Sequence, residues 1–240
     1  MLVTSLWERL EQADNSARPS LSARRIAEAA VSIADADGLE AITMRRLAAE
    51  LGVAPMAAYR YVSDKNEILE LMVDLVYGQA DIPQGEDWRQ TMRALALGMR
   101  ALVLKHTWLT QLPAARAAFE LTPNRLTLAE RTLAAIRGAD LDVDTAMSIF
   151  RTVTAYIHGA TSAEVGLRQL STERGWVSGD EARAGLSGQM TWLLGTGRYP
   201  EFARYTREAV RKDDLLWQFE TGLEHVLDGI ALRLATPGPG

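Results

Sequence analysis

The 240-residue sequence contains no cysteine. Neither disulfides nor thiolate zinc sites can therefore hold the fold, which suits a reducing cytoplasm. No segment reaches about 18 uninterrupted apolar residues, and "MLVTSLWERLEQADNSARPS" at the N-terminus has no basic stretch leading into an apolar run. Neither a membrane partner nor a secretion signal is expected, and the localisation expected is cytoplasmic. Histidine is scarce: His106, His158 and His225 are far apart and show no metal-ligand spacing. "DLDVD", Asp140 to Asp144, opens like a calcium loop but has Thr145 at the required glycine and Arg151 at the closing glutamate. GxSxG, P-loop and HExxH motifs are absent, and "GTG" at Gly195–Gly197 lacks the third glycine and the strand of a dinucleotide site. No metal or other cofactor is expected, and a helical enzyme built on scattered Asp, Glu and His is the weaker reading. Positive charge is also in deficit: a net −5 argues against a chain that coats nucleic acid along its whole surface.

What the sequence does have is apolar spacing with a period of 3.6 and no alternating β-branched runs, which predicts an all-α fold. "SARRIAEAAVSIADADG" puts Ile26, Ala30, Ile33 and Ala34 on one stripe and stops at Gly38. Thr43 can cap a short helix that Gly52 interrupts, and Pro55 opens a third helix running to about Tyr61. "DKNE", Asp64 to Glu67, reads as a capping box for a fourth helix bearing Ile68, Leu71, Met72, Leu75 and Val76. Further helices are predicted over Trp88–Lys105, Arg125–Arg137, Val143 to about Leu170, Asp180–Leu194 and Lys212–Leu234, giving about nine or ten. The domain reading is an N-terminal extension over 1–19, a three-helix domain over 20–63, a larger helical domain over 64–235, and a disordered tail, "TPGPG", over 236–240.

The chemistry concentrates in "TMRRLAAELGVAPMAAYRYVSDK", Thr43 to Lys65. Two short helices about a glycine turn fit a helix-turn-helix, whose second helix enters the major groove of double-stranded DNA. Arg45, Arg46, Arg60 and Lys65 stand against only Glu50 and Asp64, a local positive excess inside an acidic chain. Tyr59 and Tyr61 add hydroxyls able to donate to phosphate oxygens. An ordinary helical interaction module with solvated arginines would also satisfy the spacing.

Residues 22–78, through "ITMRRLAAELGV" and "YRYVSDKNEIL", resemble the DNA-binding domain of the tetracycline-repressor (TetR) family. "WRQTMRALALGMRALVLKH" and "AYIHGATSAEVG" resemble, more weakly, the regulatory domain of its tetracycline-repressor subgroup. The resemblance implies a homodimeric repressor, paired through 143–170 and 212–234, that holds a palindromic operator until a small molecule binds. By matched position it implies phosphate contacts at Thr43, Tyr59, Tyr61 and Lys65 and a base-reading Arg45. Pro55, Met56 and Ala57, at the exposed start of the recognition helix, have no hydrogen-bonding side chains, so readout there must be apolar, for instance against a thymine methyl. Arg60 is the remaining polar candidate. Leu95, Met99 and Thr132 stand where the tetracycline repressor has polar or aromatic drug contacts, and Pro113 falls near its metal-binding histidine. Tetracycline–magnesium is therefore not the expected effector; an apolar, polycyclic or aromatic molecule is. Its candidate contacts are Leu95, Met99, Val103, His106, Trp108, Phe119, Met147, Phe150, Arg151, Thr154 and His158, with the polar members orienting it among apolar walls.

Overall fold

A computed structural model describes residues 5–14, 21–80, 87–113, 121–137 and 141–235; Phe119 and the C-terminal tail lie outside them. Among the described residues there are eleven α-helices and no strand. They are α1 (Leu6–Asp14), α2 (Ala23–Asp37), α3 (Met44–Leu51), α4 (Pro55–Ala58), α5 (Lys65–Tyr77), α6 (Trp88–Lys105), α7 (Pro123–Arg137), α8 (Val143–Arg174), α9 (Gly179–Gly195), α10 (Pro200–Glu208) and α11 (Leu215–Ala235). None of the described helices is long and apolar enough to cross a membrane. The chain forms two compact units, Met1–Phe150 and Arg151–Gly240.

In the first unit α2 is the central strut. Ser22 caps it, accepting from the Arg25 N–H at 3.3 Å, and Ile26, Ala27, Ala30, Val31, Ile33 and Ala34 form a buried stripe. That stripe packs on α3 and, most extensively, on α5, whose Ile68, Leu71, Met72, Val73 and Val76 are buried. The fourth predicted helix is thus part of the core that supports the helix pair before it.

The turn between α3 and α4 follows from Gly52. Its N–H donates to Ala49 O at 3.1 Å and the Val53 N–H to Ala48 O at 3.0 Å, the paired bonds of a Schellman motif. Gly52 sits at φ 66°, in the left-handed region. α4 is shorter than the predicted run to Tyr61. Beyond Ala58 the Arg60 N–H reaches Ala57 O and the Tyr61 N–H reaches Ala58 O, three-residue bonds that tighten the chain while buried Val62 anchors it.

Other boundaries also moved. α8 runs to Arg174, a turn beyond the predicted Leu170, because Thr172 donates to Arg168 O and the helix stops only at Gly175, φ 69°. The last helix begins at Leu215 instead of Lys212, where Asp214 accepts from the Trp217 N–H at 3.0 Å. The segment expected to be an N-terminal extension contains α1. Ser5 and Glu8 exchange side-chain-to-backbone bonds of 2.7 and 3.2 Å, a reciprocal capping box that the sequence "SLWE" spells out.

Within the second unit the Tyr156 hydroxyl of α8 donates to Phe219 O of α11 at 2.6 Å, and the two rings lie 5.5 Å apart. A Cβ at Gly222 would come 2.4 Å from that hydroxyl, so this close approach needs glycine. Phe219, Leu223 and Leu227 make the buried stripe of α11.

A Cβ at Gly52 meets no atom within 4 Å, so Gly52→Ala tests backbone strain alone. We expect a loss of about 1–2 kcal/mol in denaturant unfolding, and a smaller one for Gly52→Asn, which tolerates the left-handed region.

Candidate nucleic-acid interface

Of the nine residues assigned to DNA contact, Arg45 lies on α3, Pro55, Met56 and Ala57 on α4 and Lys65 at the start of α5, while Thr43 caps α3 and Tyr59, Arg60 and Tyr61 lie in the segment between α4 and α5. Thr43 is exposed and caps α3, its hydroxyl accepting from the Arg46 N–H at 3.2 Å. Arg45 and Arg46 are consecutive on a helix and so point about 100° apart. Arg46 pairs with Asp37 at the end of α2. Among the described residues no carboxylate lies within ion-pair distance of Arg45 or Arg60, both exposed. α4 is rooted by fully buried Ala58 and presents Pro55 and Met56 to solvent, with Ala57 half-buried. Met56 is 73% exposed, a large apolar side chain held in water. Tyr59 is exposed, Tyr61 half-buried, and Lys65 Nζ lies 3.6 Å from Glu40 Oε2, itself 98% exposed. Such a surface pair contributes little and can yield to a phosphate. Exposed arginine, lysine and hydroxyl donors thus flank an apolar tip along the chain, a set suited to phosphates, a guanine edge and a thymine methyl.

The reading pair is tied to the rest of its unit by Asp35, a residue the sequence reading did not single out. His106 Nδ1 lies 2.9 Å from both Asp35 carboxylate oxygens, and the Trp108 indole N–H donates to Oδ1 at 2.9 Å. A carboxylate can only accept, so Nδ1 carries the proton facing it. His106 and Trp108 are buried and follow directly on α6, which His106 caps. The neglected signal was electrostatic. Asp35 and Asp37 sit in the last turn of α2, where the helix dipole disfavours carboxylates, and each has a specific cationic or N–H partner.

Beside this link a groove of about 540 Å³ is lined by Val31, Asp35, Leu75, Gln79, Lys105 and His106, among others. α5 is also held from its far end. Asp74 accepts from the Asn124 backbone N–H at 2.7 Å and from Asn124 Nδ2 at 2.8 Å, and the Arg125 guanidinium sits 5.0 Å from the Tyr77 ring centroid.

The residues assigned to effector contact are scattered in character. Leu95, Met99 and Val103 form a buried stripe on α6, and the Thr132 hydroxyl on α7 donates to Leu128 O at 2.8 Å. His106 and Trp108 are committed on one side to Asp35, while His106 Nε2 is buried with no hydrogen-bond partner among the described residues. Met147 is exposed and Phe150 half-buried; Phe119 lies outside the described residues. In the second unit Arg151 and His158 are exposed, and the Thr154 hydroxyl donates to Arg151 O at 3.1 Å. Among the described residues no group of three His, Asp or Glu could hold a metal ion.

Residues 26–72 match the model described as "Bacterial regulatory proteins, tetR family", and residues 82–234 that described as "Tetracyclin repressor-like, C-terminal domain". The chain belongs to the TetR family. It is 33% identical over 234 residues to the HTH-type transcriptional repressor DrrR1 of Streptomyces coeruleorubidus, covering 96% of this chain and 84% of that protein. The TetR family protein ActR of Streptomyces coelicolor, solved in complex with actinorhodin, superposes with a TM-score of 0.71 at 26% identity, covering 88% of this chain and 95% of that one. The tetracycline repressor class E of Escherichia coli is 25% identical over 155 residues, or 62% of this chain and 72% of that protein. This TetR-family chain is accordingly a helix-turn-helix transcriptional regulator, of a family whose members are not enzymes.

Two outcomes follow. Asp35→Ala strands two buried N–H donors and should cost about 2–5 kcal/mol in denaturant unfolding. Arg45→Ala should cost about 1–3 kcal/mol on specific DNA and relax base preference, whereas Lys65→Ala should weaken all sequences alike and flatten the salt slope by about one. Anisotropy titrations at several salt concentrations separate the two; unchanged affinity for both variants would contradict the interface.

Proposed function

We propose that this TetR-family protein is a homodimeric repressor that holds a palindromic operator through two copies of the α3–α4 pair and is released by a small, mostly apolar, polycyclic or aromatic effector. The observation that carries the reading is Asp35. It joins α2, which supports the reading pair, to the end of α6, whose buried stripe is the proposed effector wall. In functional terms 20–63 reads DNA and 64–235 binds effector and partner.

The effector class rests on side-chain chemistry. Leu95, Met99 and Val103 offer no hydrogen bonds, and Thr132 already donates along its own helix. Such a wall favours a ligand with extended apolar faces, and ActR, the relative solved with actinorhodin, is a precedent for a TetR regulator with a small-molecule ligand. Pairing of two chains rests on α11. Its inner stripe is used within the chain, so Leu227, within the 212–234 segment expected to pair two copies, belongs to the unit's own core. Half-buried Val226, Ile230 and Leu234, with exposed Leu216, are the residues proposed to meet a second copy.

Two reading pairs in successive major grooves must stand about 34–36 Å apart. An effector releases DNA only in proportion to its differential affinity for the holding and released states. A coupling of roughly 1–3 kcal/mol changes operator affinity about 5- to 150-fold. Displacement of the α6 end would act on α2 through Asp35, and so on the separation of the two reading pairs.

Selection of bound fragments from genomic DNA by the purified protein tests the reading. We expect enrichment of an inverted repeat, binding of one dimer per repeat in sedimentation, and release by members of a panel of polycyclic aromatic compounds. Ile230→Asp should give monomers that no longer bind the repeat. Enrichment no greater than for random DNA would overturn the proposal.

A further inference from the structure

α1 lies outside the segment matched to the TetR DNA-binding model, which begins at residue 26. It is nevertheless a docked element. Leu6 is 4% exposed and the Trp7 indole N–H is buried, so an apolar face is turned into the protein. Its second anchor is ionic: Arg9 Nη2 lies 2.6 Å from Glu67 Oε1, with the two side chains only 39% and 18% exposed.

The partner's position gives this contact its meaning. Glu67 Oε2 accepts from the Ser63 N–H at 2.7 Å, while Asp64 Oδ1 accepts from the N–H groups of Asn66 and Glu67 at 2.7 and 3.0 Å. These bonds shape the turn that presents Lys65, a proposed phosphate contact. Glu67 also sets a negative charge two residues from Lys65. The positive end of α5 stabilises that charge in the free protein, but it would repel a phosphate backbone. At physiological salt the screening length is about 8 Å, so a carboxylate two residues from a phosphate-contacting lysine is felt.

We propose that α1 is a working part of the DNA-binding surface, and that Arg9 is a positioning residue which neutralises Glu67 and holds the Ser63–Lys65 turn ready for the phosphate backbone. The inference rests on the DNA-binding reading above. It assigns operator affinity in part to a helix preceding the family's matched segment, and it gives that helix a supporting role behind the interface instead of that of a free arm reaching along DNA.

The test uses the full-length protein and the genomic fragment it selects, with affinity followed by fluorescence anisotropy across salt concentrations. Arg9→Met keeps the aliphatic stem and removes the charge. It should weaken binding about 3- to 10-fold and lower the salt slope by up to one, comparable to losing one phosphate contact. Adding Glu67→Gln should restore affinity to within about twofold, because glutamine still serves in a capping box and the repelling charge is gone. Arg9→Lys should bind like the wild type. Leu6→Asp, which detaches α1 through a different residue, should reproduce the loss and supplies the reading if thermal unfolding shows that Arg9→Met does not fold. A wild-type protein that selects no fragment overturns the DNA-binding proposal itself. If it does select one, Arg9→Met and Leu6→Asp variants that match it in affinity and slope overturn the role of α1 alone. A folded Arg9→Met variant whose loss Glu67→Gln does not reverse overturns the neutralising role.

Discussion

One carboxylate holds the functional halves of the first unit in register. Asp35 takes the His106 Nδ1–H and the Trp108 indole N–H at 2.9 Å, and both donor side chains are buried. Breaking the link is therefore costly, whereas tilting it is not, since a hydrogen bond tolerates modest angular change. α2, the helix that bears Asp35, has its apolar stripe against α3 and α5, so whatever moves its C-terminal turn moves the base of the reading pair. In the proposed mechanism the helix pair keeps its own geometry while its support on α2 changes its separation from a second copy.

The same region shows how charge is divided between structure and recognition. Arg46 is spent on Asp37, Arg9 on Glu67 and Lys65 only weakly on Glu40, while Arg45 and Arg60 have no carboxylate in reach among the described residues. The adjacent arginines in "MRRL" point about 100° apart, so Arg46 reaches Asp37 while Arg45 is left for the proposed base contact. In an acidic chain, pairing of some basic side chains with structural carboxylates leaves Arg45 and Arg60 exposed for the proposed DNA contacts.

Much of this was legible in the sequence because it is local. Ser22, Thr43, Asp64 and Gly52 cap or end helices through their own neighbours, and each does so as its residue type predicts. The exposed apolar tip at Pro55 and Met56 was also readable, since a proline at the first helical position fixes where the helix starts. Illegible were the contacts between distant residues. Asp35 meets His106 across 71 positions and Arg9 meets Glu67 across 58, and no periodicity reports either. His106 was assigned to effector contact for its polarity among apolar neighbours, but one of its ring nitrogens is committed to Asp35. Helix α1 is different: its capping box is local and stands in "SLWE", but its docking rests on the distant contact with Glu67.

The central claim is that the DNA-reading pair and the end of α6 share one equilibrium through Asp35. Amide hydrogen exchange of the intact protein, with and without its selected DNA fragment, tests this most directly. DNA should change protection at Thr43–Lys65 and also at Lys105–Leu109, with the second change abolished in an Asp35→Asn variant that still binds. Changes confined to Thr43–Lys65 in the wild-type protein would contradict it.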